Sequence, residues 1–196
     1  NVTSPLEKGD NPELDTTELL DEEGQQRYMS LIGSMQWAVS LGRFDIQVAV
    51  MSMSSFRVAP RRGHLERLQR IYSYLAKMRH AVIRVRTGEP DYSGLPEHDY
   101  DWMYTLYGNV KEQVPHDMPE PLGKYVTLTH FFDANLYHDV LTGRSVTGIL
   151  HLLNQTPIDW HAKKQATVET ATYRSEFVAG RTCIEQAIDL RSSLHY

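Results

Sequence analysis

A chain of 196 residues, 41% hydrophobic and 23% charged, has ordinary globular composition, which excludes a disordered or fibrous protein and leaves room for two small modules. No apolar run approaches the roughly 20 residues that a membrane span needs, and the acidic N-terminus lacks the regions of a secretion signal. One cysteine, Cys183, excludes an internal disulfide, so a cytoplasmic or nuclear setting with no membrane partner is expected.

The net charge of -5 conceals two blocks of opposite sign. Over residues 1–27, Glu7, Asp10, Glu13, Asp15, Glu18, Asp21, Glu22 and Glu23 outnumber Lys8 and Arg27, and Pro5, Gly9, Pro12 and Gly24 interrupt any periodicity. This stretch reads as an acidic linker. From Tyr28 the pattern changes, with Leu31, Ile32, Met35 and Val39 recurring at helical spacing. After a break near Gly42, Asp45 stands where it can cap a second helix carrying Ile46, Ala49, Val50, Met53 and Phe56, which Ala59-Pro60 ends. A third helix starts near Gly63, with Leu65, Leu68, Ile71 or Tyr72, Leu75 and Met78 inward and Arg67, Arg70 and Lys77 outward. Around it, Arg57, Arg61, Arg62, Arg67, Arg70, Lys77, Arg79, Arg84 and Arg86 stand against Glu66 alone. That balance suits a phosphate backbone, and equally a solvated helix face.

Residues 81–85 have the composition of a short strand, and 88–123 read as an irregular connector in which Asp101, Trp102, Tyr104 and Tyr107 anchor on a domain surface. The last third differs. Residues 124–133, 145–153 and 156–162 read as strands, and tight turns at Thr142-Gly143 and Asn154-Gln155 make neighbours antiparallel. Tyr173, Phe177, Gly180, Ile184 and Ile188 then mark a long helix. The fold class expected is α+β: a helical module, then three antiparallel strands and one helix. His130, His138, His151 and His161 lack a compact zinc spacing, and Cys183 reads as a core filler.

Several ordered motifs carry a family resemblance. Residues 28–37 (YMSLIGSMQW) followed by 43–46 (RFDI), with His64, Arg70 and Tyr74-Leu75 beyond, resemble the end of copia-type reverse transcriptases and their thumb-like basic helix. Residues 131–135 (FFDAN), 143–148 (GRSVTG), 158–165 (IDWHAKKQ) and 175–179 (SEFVA) are similar, in order and spacing, to the RNase H domain of the same Pol polyprotein. The resemblance implies four segments: an acidic linker at 1–27, a thumb-like module at 28–87, a connector at 88–123 and an RNase H-like domain at 124–196. It also implies a parent that copies RNA into DNA and hydrolyses the RNA strand of the hybrid, in the cytoplasm (virus-like particles) or the nucleus.

By the same resemblance Asp133 and Glu176 are the catalytic carboxylates and ligands of Mg²⁺ or Mn²⁺ in a two-metal site. Arg61, Arg62, Arg67, Arg70, Lys163 and Lys164 are the candidate contacts to an RNA:DNA hybrid or RNA. Phe44 replaces the family's proline, and Asn135 and Arg174 replace acidic residues. The family's next catalytic aspartate follows this helix, and Asp139, Asp159 and Asp189 do not sit in its motif. The RNase H domain is therefore expected to be truncated, with metal binding weak or absent and the fragment inactive alone. The remaining partners expected are the rest of the polyprotein and, through an unfinished sheet edge, a second copy. The competing expectation is a non-catalytic nucleic-acid-binding or assembly protein derived from such an element.

Overall fold

The computed structural model describes residues 2–96, 102–106, 108, 116–120 and 123–194. Helix α1 runs over Glu22–Ser40, because Asp21 caps it by accepting a hydrogen bond from Gly24 N–H at 2.8 Å and Glu22 and Glu23 face the positive end of its dipole. It therefore begins six residues before Tyr28, inside the stretch read as a linker. Gly42, at φ 110°, lets the chain turn out of α1. A 3₁₀ turn at Phe44–Ile46 leads into α2, Gln47–Ser54, which has no side-chain cap. Asp45 is committed elsewhere: its carboxylate takes both ends of the Arg43 guanidinium, at 2.9 and 2.8 Å. Helix α3 spans Arg62–Lys77. The three helices bury Tyr28, Ile32, Met35, Ile46, Val50, Met53, Leu68 and Ile71 against one another. Each such side chain stabilises by roughly 1.5–3 kcal/mol before chain entropy is charged against it. Tyr28 also donates to Met53 O at 2.8 Å, so its hydroxyl is matched inside this core.

The N-terminal segment is not a free linker. Residues 18–20 pair with 60–62: Leu20 N–H donates to Pro60 O and Arg62 N–H to Glu18 O, both at 2.9 Å. Pro12 is buried, and Leu6 and Leu20 pack against the helical core. Composition pointed to a linker, but these apolar anchors and the charge of α3 hold the segment down as a strap.

Residues 81–85 form no strand; nearby, Thr156 Oγ1 accepts from Arg86 N–H (2.7 Å) and donates to Arg86 O (3.0 Å). Trp102–Tyr104 is a single 3₁₀ turn, and Tyr104 is exposed rather than anchored; Asp101 and Tyr107 lie outside the described residues. Strand β1 covers Leu128–Asp139, β2 Arg144–Leu153 and β3 Thr156–Lys164, in the order β1-β2-β3 with both pairings antiparallel. Helix α4, Thr172–Leu194, packs across β1 and β2. The architecture is the mixed α+β one expected, with β1 shifted toward the C-terminus, so that Asp133 sits mid-strand rather than at its end. A register irregularity between Asn135 and Asp139, with Tyr137 at φ 52°, carries the strand onward.

The face of α4 that meets the sheet is built from small residues: Ser175, Ala179, Gly180 and Cys183 are buried, whereas Tyr173, Phe177, Ile184 and Ile188 are exposed. The reason is close approach. The Phe132 ring lies so near Gly180 that a Cβ there would stand 3.1 Å from it. The sheet meets the helical unit at Trp160, whose ring lies 5.2 Å from that of Phe44 and whose Nε1–H donates to Val39 O at 3.2 Å. No helix among the described residues is long and apolar enough to cross a membrane.

Candidate functional site

The two predicted carboxylates lie on adjoining elements. Asp133 is exposed on β1 opposite Gly148, and Glu176 is half-buried in the second turn of α4. Glu176 lines an open groove of about 640 Å³ together with Phe132, Tyr173, Phe177, Gly180 and Ile184. Phe132 shows which side of β1 meets α4, and strand alternation sends its neighbour Asp133 to the other side. Asp133 therefore points away from the groove that Glu176 lines, and Asn135 shares the Asp133 side. Among the described residues no group of three or more His, Cys, Asp or Glu is placed to hold a metal ion. Magnesium demands near-octahedral oxygen coordination, so these two carboxylates alone do not fit a catalytic metal pair.

The predicted basic residues are mostly engaged within the chain. Arg67 Nε and Nη2 donate to the two oxygens of Asp10 at 2.7 Å, and Nη1 donates to Asp15 Oδ2 at 2.6 Å. Arg70 Nη1 donates to Glu7 at 2.8 Å, and Arg61 donates to Thr17 O. Arg62 reaches Glu66 at 3.6 Å with both side chains exposed. The face of α3 expected to point outward is thus covered by the acidic strap. Lys163 is exposed near the end of β3, while Lys164 pairs with Asp139 at 2.7 Å.

Local geometry makes the strap tight at its centre. Asp15 Oδ1 accepts from Thr17 N–H and Oγ1–H at 3.0 and 2.5 Å, and Gly63 N–H donates to Thr17 Oγ1 at 2.9 Å. A Cβ on Gly63 would lie 2.0 Å from Asp15 Oδ2, so the strap needs glycine here. Burial by itself raises the Asp15 pKa, but the hydrogen bonds from Thr17 and Arg67 outweigh it and hold the carboxyl at about 2. His64 Nδ1 accepts from Arg61 N–H at 3.0 Å, which leaves Nε2–H to donate to Pro12 O at 2.9 Å. Its ring is therefore neutral, in keeping with a pKa that burial pushes down.

Asp10, Asp15 and Glu7 were not singled out by reading the sequence. The available signal was the complementarity of the two charge blocks, which residue-by-residue motif reading passes over. A second feature missed is the imidazole pair on the α4 side of the sheet: His130 Nδ1 and His151 Nδ1 lie 2.6 Å apart, and His151 Nε2 meets Gln186 Oε1 at 3.0 Å.

Comparison with known proteins finds similarity to transposon material. The chain is 31% identical over 101 residues to the putative transposon Ty5-1 protein of Saccharomyces cerevisiae, a stretch that is 52% of this chain and 29% of the yeast protein. It is 24% identical over 161 residues to secreted RxLR effector protein 161 of Plasmopara viticola, covering 82% of this chain and 89% of the effector. The chain thus spans less than a third of the yeast protein. No family model matches, and no solved structure matches significantly.

Proposed function

We propose that this chain is a piece of a retrotransposon Pol polyprotein of the copia type, the end of a reverse transcriptase followed by part of an RNase H-like domain. Its parent copies RNA into DNA and hydrolyses the RNA strand of the hybrid. The observation that carries the reading is the order of elements beneath the motifs. A helical trio bears YMSLIGSMQW and RFDI, a three-strand meander bears FFDAN and IDWHAKKQ, and a long helix bears SEFVA. The similarity to a transposon protein supports it.

In this reading Asp133 and Glu176 supply hard oxygen ligands for Mg²⁺ or Mn²⁺, a site that needs further carboxylates. No hydrolytic step is assigned to these two residues alone. The chain's own contribution is to hold RNA or an RNA:DNA hybrid by its phosphates, through Arg61, Arg62, Arg67, Arg70, Lys163 and Lys164. The rest of the polyprotein and a second copy at the exposed β1 edge are the other partners proposed.

A second reading, a non-catalytic nucleic-acid-binding or assembly protein derived from such an element, is favoured by one observation. The match to the effector covers 89% of that protein, so its aligned stretch takes in parts of both the helical unit and the sheet.

Hybrid binding followed by fluorescence anisotropy across a salt series tests the shared part: affinity falls steeply with salt and varies little with base sequence. Absent or salt-independent binding overturns it. Hybrid cleavage with Mg²⁺ or Mn²⁺ then separates the two readings. The first expects negligible cleavage by residues 1–196 and cleavage by a chain extended along the polyprotein, lost in Asp133→Asn and Glu176→Gln. Activity of the extended chain that survives both substitutions rules the site out; an extended chain without activity favours the second reading.

A further inference from the structure

We propose that the acidic strap, residues 4–19, is a built-in competitor that occupies the face of α3 on which a nucleic-acid backbone docks, so that binding requires its displacement. The inference rests on the nucleic-acid reading above and adds regulation to the same surface. The strap imitates a polyanion in its contacts. Asp10 presents both oxygens to the fork of Arg67, as a phosphate would, and Asp15 and Glu7 continue the row of negative charge onto Arg67 and Arg70. The contacts are unequal along its length. At the centre the Asp15 and Arg67 side chains are 6% and 21% exposed, whereas Glu7 is 70% exposed and accepts a single hydrogen bond from Arg70.

Beneath that outer end, Arg70 Nε is buried with no partner among the described residues. Glu7 takes only Nη1, on the edge of the guanidinium away from Nε, so the strap's outer contact leaves that donor unmet. The strap is therefore poised to peel from Glu7 inward, while the pairing of 18–20 with 60–62 retains it as a tether. Charge steers the exchange, and apolar anchors at Leu6 and Pro12 oppose it.

The test uses the full chain and a mixed-sequence RNA:DNA hybrid. Neutralising the strap with Glu7→Gln, Asp10→Asn and Asp15→Asn together is expected to tighten hybrid binding about tenfold at low salt, because the closed state no longer subtracts from the binding-competent population. A control with the same charge change elsewhere, Glu22→Gln, Glu23→Gln and Asp189→Asn, is expected to tighten it far less. Hydrogen exchange on the unmodified chain supplies a readout that needs no variant. Hybrid should accelerate exchange at Gly63, whose N–H donates to Thr17 Oγ1 of the strap, while the Leu20 N–H of the tether and the buried helical core stay protected. Equal affinities for the two triple variants, or a Gly63 amide that keeps or gains protection with hybrid bound, overturn the proposal and leave the nucleic-acid reading standing. If the strap variant fails to fold, the exchange result decides. Absence of hybrid binding by every form overturns both.

Discussion

Replacing Arg67 with Ala removes three charge-assisted hydrogen bonds and leaves two carboxylates facing each other over α3. The guanidinium is 21% exposed, Asp10 17% and Asp15 6%, so the cluster lies between a surface pair and a buried one. Surface pairs contribute up to about 1 kcal/mol, and breaking a buried pair costs about 3–5 kcal/mol, which places the expected loss at roughly 2–3 kcal/mol at neutral pH. Proton linkage concerns the Asp15 carboxyl as a whole, which Thr17 and Arg67 together hold in its charged form. Asp15 titrates at about 2 when folded against an ordinary 3.8, a depression corresponding to about 2 kcal/mol. Because the folded value is the lower, that stability is fully present above 3.8 and is lost as pH falls toward 2. In Arg67→Ala this acid limb should shrink without vanishing, since Thr17 still donates twice to Asp15. Urea unfolding followed by far-ultraviolet circular dichroism, at pH 7 and through the acid range, measures both effects. A loss below about 0.5 kcal/mol, within the span of ordinary surface substitutions, together with an unchanged acid limb would refute the reasoning.

Gly63→Ala should loosen the strap by driving Asp15 from its place, giving faster limited proteolysis within residues 2–20; an unaltered digestion pattern counts against the close approach. Trp160→Ala removes the hydrogen bond to Val39 and the ring contact with Phe44, and should cost about 2–3 kcal/mol, below the fully buried tryptophan range. Calorimetry should then resolve two transitions where one is expected of the unaltered chain, whereas a single, barely shifted transition would show that the two units do not depend on this seam. Burial pushes down the pKa of His64, His130, His138 and His161, so their neutral forms stabilise the fold above about 6.5, and that contribution falls away as pH drops below it. Stability should therefore decline before the carboxylate range is reached. His64 sits among Asp15, Arg61 and Arg67, and a flat profile from pH 7 down to the carboxylate range would exclude its neutral bridge from Arg61 to Pro12.

Reading the sequence located the helical trio, the three strands, their antiparallel pairing and the long final helix, because apolar periodicity and turn residues are local properties of the chain. It erred where a long-range contact overrides a local signal. Residues 1–27 have the composition of a linker, yet the basic face of α3 draws their acids in; residues 81–85 have strand composition but no strand partner among the described residues. The stripe of Tyr173, Phe177, Ile184 and Ile188 identified α4 as a helix but not the face it buries, which is decided by how closely Gly180 lets Phe132 approach.

The same division holds for the candidate site. The family resemblance singled out Asp133 and Glu176, and residue type and charge balance singled out the basic residues of α3. Two facts came only from tertiary structure: strand alternation puts Asp133 on the side of β1 away from α4, and Asp10, Asp15 and Glu7 already occupy Arg67 and Arg70. The sequence determined which elements form and what charge each carries, since periodicity and composition act over a few neighbouring residues. Which charges meet was decided by folding, because Arg67 and its partners stand more than fifty positions apart in the chain and are brought within hydrogen-bond distance only when apolar burial seats the strap on α3.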